Sequence, residues 1–221
     1  MTTRDRAGCA RHQIVRVGHA DIGVLSLVIA EAFFSLAVCR WLIPDEPARR
    51  AAFPGYFRLY VEHAITDGLV ETTPDRAAAA LWIPGDGPGT PPDGYTGQLA
   101  ALTGQHLGNF LAFDEQLARH HPAGTFHHHL AILAVFPDRQ GQGIGTALLH
   151  AHHAVLEDQG TPAYLEASDN HTRRLYLDHG YTDRGSPIEL ADGVQMYPMW
   201  RDPLTGSAPG DGRFAKDHQG M

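Results

Sequence analysis

Cysteine is almost missing from this chain. Two residues, Cys9 and Cys39, are all that 221 positions hold. Two cysteines cannot build a disulfide framework, and nothing here calls for an oxidising compartment. Positive charge is also scarce: 17 Lys and Arg stand against 25 Asp and Glu, a formal net charge of −8 with neutral histidines. A chain this acidic lacks the basic footprint that nucleic acid needs, and it favours cationic or amine partners. Uninterrupted apolar runs are missing as well. The longest, IGVLSLVIAEAFFSLAVC from Ile22 to Cys39, is broken by Ser26, Glu31 and Ser35, and no basic segment leads into a small-residue cleavage site. These absences predict a soluble cytoplasmic protein without membrane or nucleic-acid partners.

What is present is apolar substance, 43% of the residues, ample for one domain with a sizeable core. Residues 1–12 are polar and read as a flexible start. QIVRVG (13–18) reads as a strand, followed by Asp21 as N-cap of an apolar helix running to about Cys39. Pro44 and Pro47 break it, and residues 48–67 return to helical spacing through Phe53, Phe57, Tyr60, Val61 and Ala64. GLVETT and RAAAALWIP form a hairpin around Pro74-Asp75, and residues 85–97, dense in Gly and Pro, form a loop. A helical stretch (97–119) and the buried strand GTFHHHLAILAVF (124–136) follow. The remainder alternates: helix 143–159, strand AYLEAS (163–168), helix 171–179, and strands near 181–190 and 194–200. Residues 203–221 read as a disordered tail. The pattern predicts an α/β domain over 13–202, a mixed central sheet of about six to seven strands with helices on both faces.

Between the central strand and the next helix lies QGQGIG, with Gly141, Gly143 and Gly145 on alternate positions. Bare backbone leading into a helix N-terminus, whose first amides lack intrahelical partners, suits the phosphates of a ligand. No lysine follows, which excludes a P-loop, and the third glycine comes one place early for the dinucleotide fingerprint. A tight strand-to-helix turn without a ligand is the other reading of the spacing.

Leu133, Val135, Pro137, Gln140, Gly143 and Gly145 occupy every specified position of the pattern L-x-V-x-P-x-x-[QR]-x-x-G-x-[GA]. This resembles the acetyl-CoA turn of the GCN5-related N-acetyltransferase (GNAT) superfamily. Downstream, Tyr176, Gly180 and Tyr181 fit that superfamily's Y-x-x-x-G-[FY] ending. The long first helix, WLIPDEP, the Gly/Pro loop and LEAS eight residues before the tyrosine look most like its puromycin N-acetyltransferase-like branch. The resemblance implies a GNAT fold with a V-shaped splay between the fourth and fifth strands. It implies acetyl-CoA as co-substrate, with no metal, and transfer to a primary amine of a small molecule in a ternary complex. Protein lysine or N-terminal amines, or acyl-CoA binding without turnover, are the alternatives. Dimers are frequent among such proteins, so a homodimer is an assembly the resemblance allows.

Residue by residue, the resemblance assigns CoA contacts to Leu133, Ala134, Val135, Gln140, Gly141, Gln142, Gly143, Ile144, Gly145, Thr146 and Tyr176. Asp169 stands where the superfamily often has Asn, and Asn170, one place later, takes the CoA contact by analogy. Tyr176 is expected to protonate the departing thiolate. Histone and arylalkylamine acetyltransferases look similar in placing a Glu or His base six residues before the valine, a position held here by His129. Strand alternation puts His127, His129, Ala131, Leu133 and Val135 on one face, and Glu166 on the neighbouring strand is the reserve base. Phe33, Phe34, Trp41, Tyr56, Phe57 and Trp82 are expected to line the acceptor pocket, with Asp114 and Glu115 as anchors for a cation. The histidines of HAHH (150–153) are read as a solvated helix face, because no set of them has zinc-like spacing.

Overall fold

The chain is described over residues 12–204 in a computed structural model. The flexible start and the disordered tail expected from the sequence therefore lie almost wholly outside the described residues. Eight strands are seen: β1 (Val15–Arg16), β2 (Leu69–Thr72), β3 (Ala78–Gly85), β4 (His127–Val135), β5 (Ala163–Ala167), β6 (Thr182–Asp183), β7 (Ile188–Glu189) and β8 (Gln195–Arg201). Seven α-helices accompany them: α1 (Ile22–Phe33), α2 (Ala37–Leu42), α3 (Glu46–Asp67), α4 (Tyr95–Thr103), α5 (Leu107–His120), α6 (Ile144–Gln159) and α7 (Asn170–Asp178). The sheet runs β1-β2-β3-β4-β5-β8-β6, with β7 added to β8. All of its pairings are antiparallel except that of β4 with β5.

Local chemistry accounts for most boundaries. Asp45 caps α3 by accepting from the Ala48 amide at 2.8 Å, and Pro47 sits in the first turn, where its missing N–H costs nothing. Helix α3 ends at Gly68, which passes so close to β3 that a Cβ there would lie 2.1 Å from the Trp82 carbonyl oxygen. The single helix expected from Asp21 to Cys39 is instead two. Its interruption at Phe34 and Ser35 has no Gly or Pro to announce it. The Arg49 guanidinium, buried, donates to the carbonyls of Phe34, Ile43 and Pro44 at 3.2, 2.7 and 3.0 Å, and Arg40 donates to Ser35 O at 2.6 Å. Arg49 and Arg40 thus satisfy the Phe34 and Ser35 carbonyls at the break, and Arg49 also binds the chain just past the end of α2. Asp21 occupies the N-cap position of α1 but does not cap it; its carboxylate pairs with Arg76 at 2.9 Å.

Two apolar layers sandwich the sheet. Helices α1 and α3 pack on one face against Ala79, Leu81, Ile132 and Ala134, while α6 packs on the other against Ala78, Ala80, Trp82 and Leu130. Strand β3 therefore buries Ala78 through Trp82 completely, and its small side chains let helices approach from both sides.

Two irregularities of β4 create the site. Its parallel pairing with β5 covers only His128↔Ala163 and His129↔Tyr164. Beyond these pairs the strands separate, which is the V-shaped splay expected between the fourth and fifth strands. Against β3, Leu81 faces Ile132 whereas Trp82 faces Leu130, so Ala131 is an extra, bulged residue. The bulge overturns the simple alternation expected from the sequence. His127 and His129 share the α1/α3 face with Ile132 and Ala134, whereas Leu133 and Val135 turn toward α6.

Candidate active site

A cavity of about 900 Å³ opens where β4 and β5 part. One end is walled by β4 from Leu133 to Val135, by the glycine turn and by α7; the other by α1, α3, α5 and β8. Open α/β sheets collect ligands at such breaks beyond the C-terminal ends of parallel strands.

The turn between β4 and α6 is backbone with little to cover it. Gly141 and Gly143 have φ of +72° and +80°, left-handed values natural to glycine. Gly145 lies against the Val135 and Leu133 side chains at 3.8 and 3.9 Å from a built Cβ. No side chain caps α6, and Ala147 is the first amide to bond back, to Gly143 O at 3.0 Å. The amides of Ile144, Gly145 and Thr146 are thus free for an anion at the positive helix end. Gln140 donates to Val135 O at 3.0 Å, fastening the turn to the strand that precedes it. Of the residues expected here, Leu133, Ala134, Val135, Gln140, Gly141, Gly143, Ile144, Gly145, Thr146 and Tyr176 line the cavity. Gln142 and Asn170 do not. Gln142 turns back onto Arg139 and Asp138, and Asn170 is exposed in the first turn of α7. Asp169 lines the cavity in its place, and its carboxylate is committed to the capping box with Thr172.

His129 and Glu166 meet across the splay, Nε2 to Oε2 at 2.8 Å, with side chains 18% and 5% exposed. The sequence offered them as alternatives; the fold makes them a pair. Burial pushes the Glu166 carboxyl up, but the His129 charge and hydrogen bond outweigh it, so the net direction is down and the carboxylate is ionised. A carboxylate only accepts, so His129 donates from Nε2, and in the neutral ring that hydrogen bond leaves Nδ1 as the lone-pair nitrogen. The remaining Glu166 oxygen, Oε1, is buried without a protein partner among the described residues. His121 stands edge-on to His129 with ring centroids 5.0 Å apart, and burial followed by the His129 charge lowers it to about 4. Tyr176 is 8% exposed and lines the same cavity, and its hydroxyl makes no hydrogen bond to another described residue. Burial, with the charge of Asp169 second, raises its phenol above the ordinary range, so it is held protonated.

The far end is apolar. Phe33, Tyr56 and Phe57 line it as expected, and Tyr60, Phe113, Leu117 and Met196 join them. Tyr60 and Phe113 belong to periodic helical patterns that sequence alone cannot separate from core. Three expected lining residues lie elsewhere. Phe34 packs beneath Arg49 and Arg50, with guanidinium carbons 4.6 and 4.2 Å from its ring centre. Trp41 packs against the α1/α3 core, and Trp82 is wholly buried on the opposite face of the sheet. Asp114 accepts from the Tyr95 hydroxyl at 2.9 Å, and burial raises its carboxyl to about 6 despite that bond. Glu115 is exposed and paired with Arg119. Neither is a lining residue.

Of the three histidines of α6, His150 is exposed as expected, but the other two depart from expectation. His152 is fully buried, stacked on Trp82 at 4.0 Å, within 3.0 Å of His128 Nδ1 and 3.3 Å of the Glu71 carboxylate. His153 is buried against the Tyr181 hydroxyl at 3.0 Å. They face the sheet because α6 presents that side to it, a fact of packing that residue type conceals. Among the described residues no group of three or more His, Cys, Asp or Glu could hold a metal, and no helix is long and apolar enough to cross a membrane.

Comparison with known proteins gives a consistent picture. Residues 102–183, which include the strand, the glycine turn and Tyr176, match a family model described as an acetyltransferase (GNAT) domain. An uncharacterized N-acetyltransferase of Schizosaccharomyces pombe is 26% identical over 211 residues, covering 87% of this chain and 84% of that protein. Among solved structures, a histone acetyltransferase HPA2 and related acetyltransferase from Corynebacterium glutamicum superposes with a TM-score of 0.69 at 23% identity, over 90% of this chain and 99% of that one. Arylalkylamine N-acetyltransferase 2 from Aedes aegypti gives 0.61 at 13% identity, over 86% and 98%. The PaiA N-acetyltransferase of Thermoplasma acidophilum, solved in complex with coenzyme A, gives 0.52 at 12%, over 86% and 98%.

Proposed function

We propose that this chain is an acetyl-CoA-dependent N-acetyltransferase of the GNAT superfamily, a reading supported by its family match, relative and fold, and that it moves the acetyl group to a primary amine of a small molecule by direct attack in a ternary complex. The observation that carries the reading is one cavity containing the glycine turn, Tyr176 and the His129–Glu166 pair. The resemblance of WLIPDEP and the Gly/Pro loop to puromycin N-acetyltransferases supports a small-molecule acceptor over a protein one.

The residues present fit acetyl-CoA. The free amides of Ile144, Gly145 and Thr146, with Gly141 and Gly143 giving close backbone access, would hold the pyrophosphate, and the edge of β4 from Leu133 to Val135 would hold the pantetheine arm. Acetyl-CoA supplies the acyl carbon and a leaving thiolate. His129 takes the ammonium proton on Nδ1 while Glu166 fixes its tautomer and stabilises the imidazolium that results. The amine nitrogen then bonds the carbonyl carbon as the C–S bond breaks, its electron pair leaving on sulfur, and the nitrogen sheds its second proton to water, from which the Tyr176 phenol is restored after it has protonated the thiolate. Main-chain N–H groups along the unpaired edge of β4 hold the developing oxyanion. Tyr176 delivers its proton to the sulfur, a transfer from a raised phenol that only close positioning makes fast.

Thiol release from acetyl-CoA across an amine library tests this. Acceleration by the protein, abolished or reduced at least hundredfold in His129→Ala, supports it; tight CoA binding with no turnover on any amine would favour a binding protein instead.

A further inference from the structure

We infer that the acceptor is a monoamine, its amino group carried on a short arm from an aromatic or otherwise apolar body with no second cationic group. The inference rests on the reading of the cavity as the transfer site and concerns its far half. There Phe33 from α1, Tyr60 from α3, Phe113 and Leu117 from α5, and Met196 from β8 face the same space. Aromatic and aliphatic walls contributed by four separate elements make a slot that desolvates whatever enters it.

The charges in the cavity point the same way. Its wall includes four carboxylates, and each has another employment or position. Glu166 is bound to His129, Glu31 reaches Arg50 at 3.3 Å, Asp169 caps α7, and Asp178 lies exposed near the end of α7. The cationic side chains Arg139 and Arg174 also border it. One ammonium group can therefore be received, at the His129–Glu166 pair, where it is deprotonated. A second ammonium on the same molecule would be stripped of water among Phe33, Phe113 and Met196, where the nearest carboxylates are already engaged, Glu31 with Arg50 and Asp114 with the Tyr95 hydroxyl, and that placement is penalised. The negative charge of the chain as a whole does not argue otherwise, because the carboxylates beside this end have partners of their own. Asp114 is turned to Tyr95 and Glu115 to Arg119.

The test compares 2-phenylethylamine with 1,5-diaminopentane, whose two amino groups span a similar length, and with an Nα-acetyl-lysine amide. kcat/KM is measured by thiol release, and equilibrium binding by calorimetry on the protein saturated with CoA. We expect phenylethylamine to exceed the diamine at least tenfold in both measurements, with the lysine derivative between them. Leu117→Glu, which places a carboxylate at a half-buried position of the wall, should narrow that ratio at least fivefold. Equal or reversed preference in the unaltered protein overturns the inference, whether or not the variant folds. If no amine is acetylated, the transfer reading falls while the binding ratio still decides this one: preference for phenylethylamine upholds it, and no preference overturns it.

Discussion

The buried histidines make the protein acid-labile by an amount that can be worked out. Burial, then the charges of Arg201 and neighbouring histidines, lowers His153 from 6.5 to about 3. Between those values the unfolded chain binds a proton that the folded chain refuses. Stability is therefore complete above 6.5 and is lost as pH falls. Taking the unfolded histidine at 6.5, one site that stays neutral in the fold costs about 1.9 kcal/mol between pH 7 and pH 5. His128 and His121, both lowered to about 4, act in the same direction. Against a typical total of about 5–15 kcal/mol, the combined loss is large. Urea denaturation at pH 7 and pH 5 measures it. The decisive comparison is the double variant His153→Phe with Tyr181→Phe, which keeps both rings and removes both ends of their 3.0 Å hydrogen bond. Its packing cost is common to both pH values and cancels. The drop in stability from pH 7 to pH 5 should shrink by about 1.9 kcal/mol. An unchanged drop would mean that His153 is protonated in the folded state, and the argument from its burial would fail.

Three further outcomes are expected. Tyr176→Phe should lower kcat by about 10²-fold or more, in the range of general-acid losses, and leave the KM for acetyl-CoA within about twofold, as steady-state kinetics will report. Gly143→Ala must place a side chain at φ +80°; at about 1–2 kcal/mol of left-handed strain it should weaken CoA binding by roughly tenfold in calorimetry, more than Gly145→Ala, whose added Cβ meets only ordinary contacts. Arg49→Met keeps the apolar stem but forfeits three hydrogen bonds to carbonyls. It should destabilise by about 2–4 kcal/mol and raise the KM for the amine more than that for acetyl-CoA, because Phe33 adjoins the turn those bonds secure.

What the sequence discloses here follows the range of the interactions involved. The glycine turn is legible because its conformation depends on residues 140 to 146 themselves, and the alternation of helices with strands after residue 124 is equally local. Other features need the assembled fold. The break between α1 and α2 depends on Arg49, some fifteen residues away in sequence. The inward turn of His152 and His153 depends on which side of α6 meets the sheet. Residue types point to His129 and Glu166 separately, but only the register of β4 against β5 brings them to 2.8 Å. The aromatic slot is the hardest to read, because Tyr60 and Phe113 carry the same helical spacing as wholly buried Phe53 and Phe110.

The extra residue at Ala131 divides β4 into two halves of opposite phase, and so it also divides what mutation can do there. A substitution on either half alters one side chain. Removal of Ala131 itself would erase the bulge and leave both halves facing as they do, whereas a deletion or insertion elsewhere between His129 and Val135 would turn the side chains beyond it to the opposite face. Phase is therefore what this strand must keep on either side of the bulge, so that His129 meets Glu166 while Leu133 and Val135 stay beside the glycine turn.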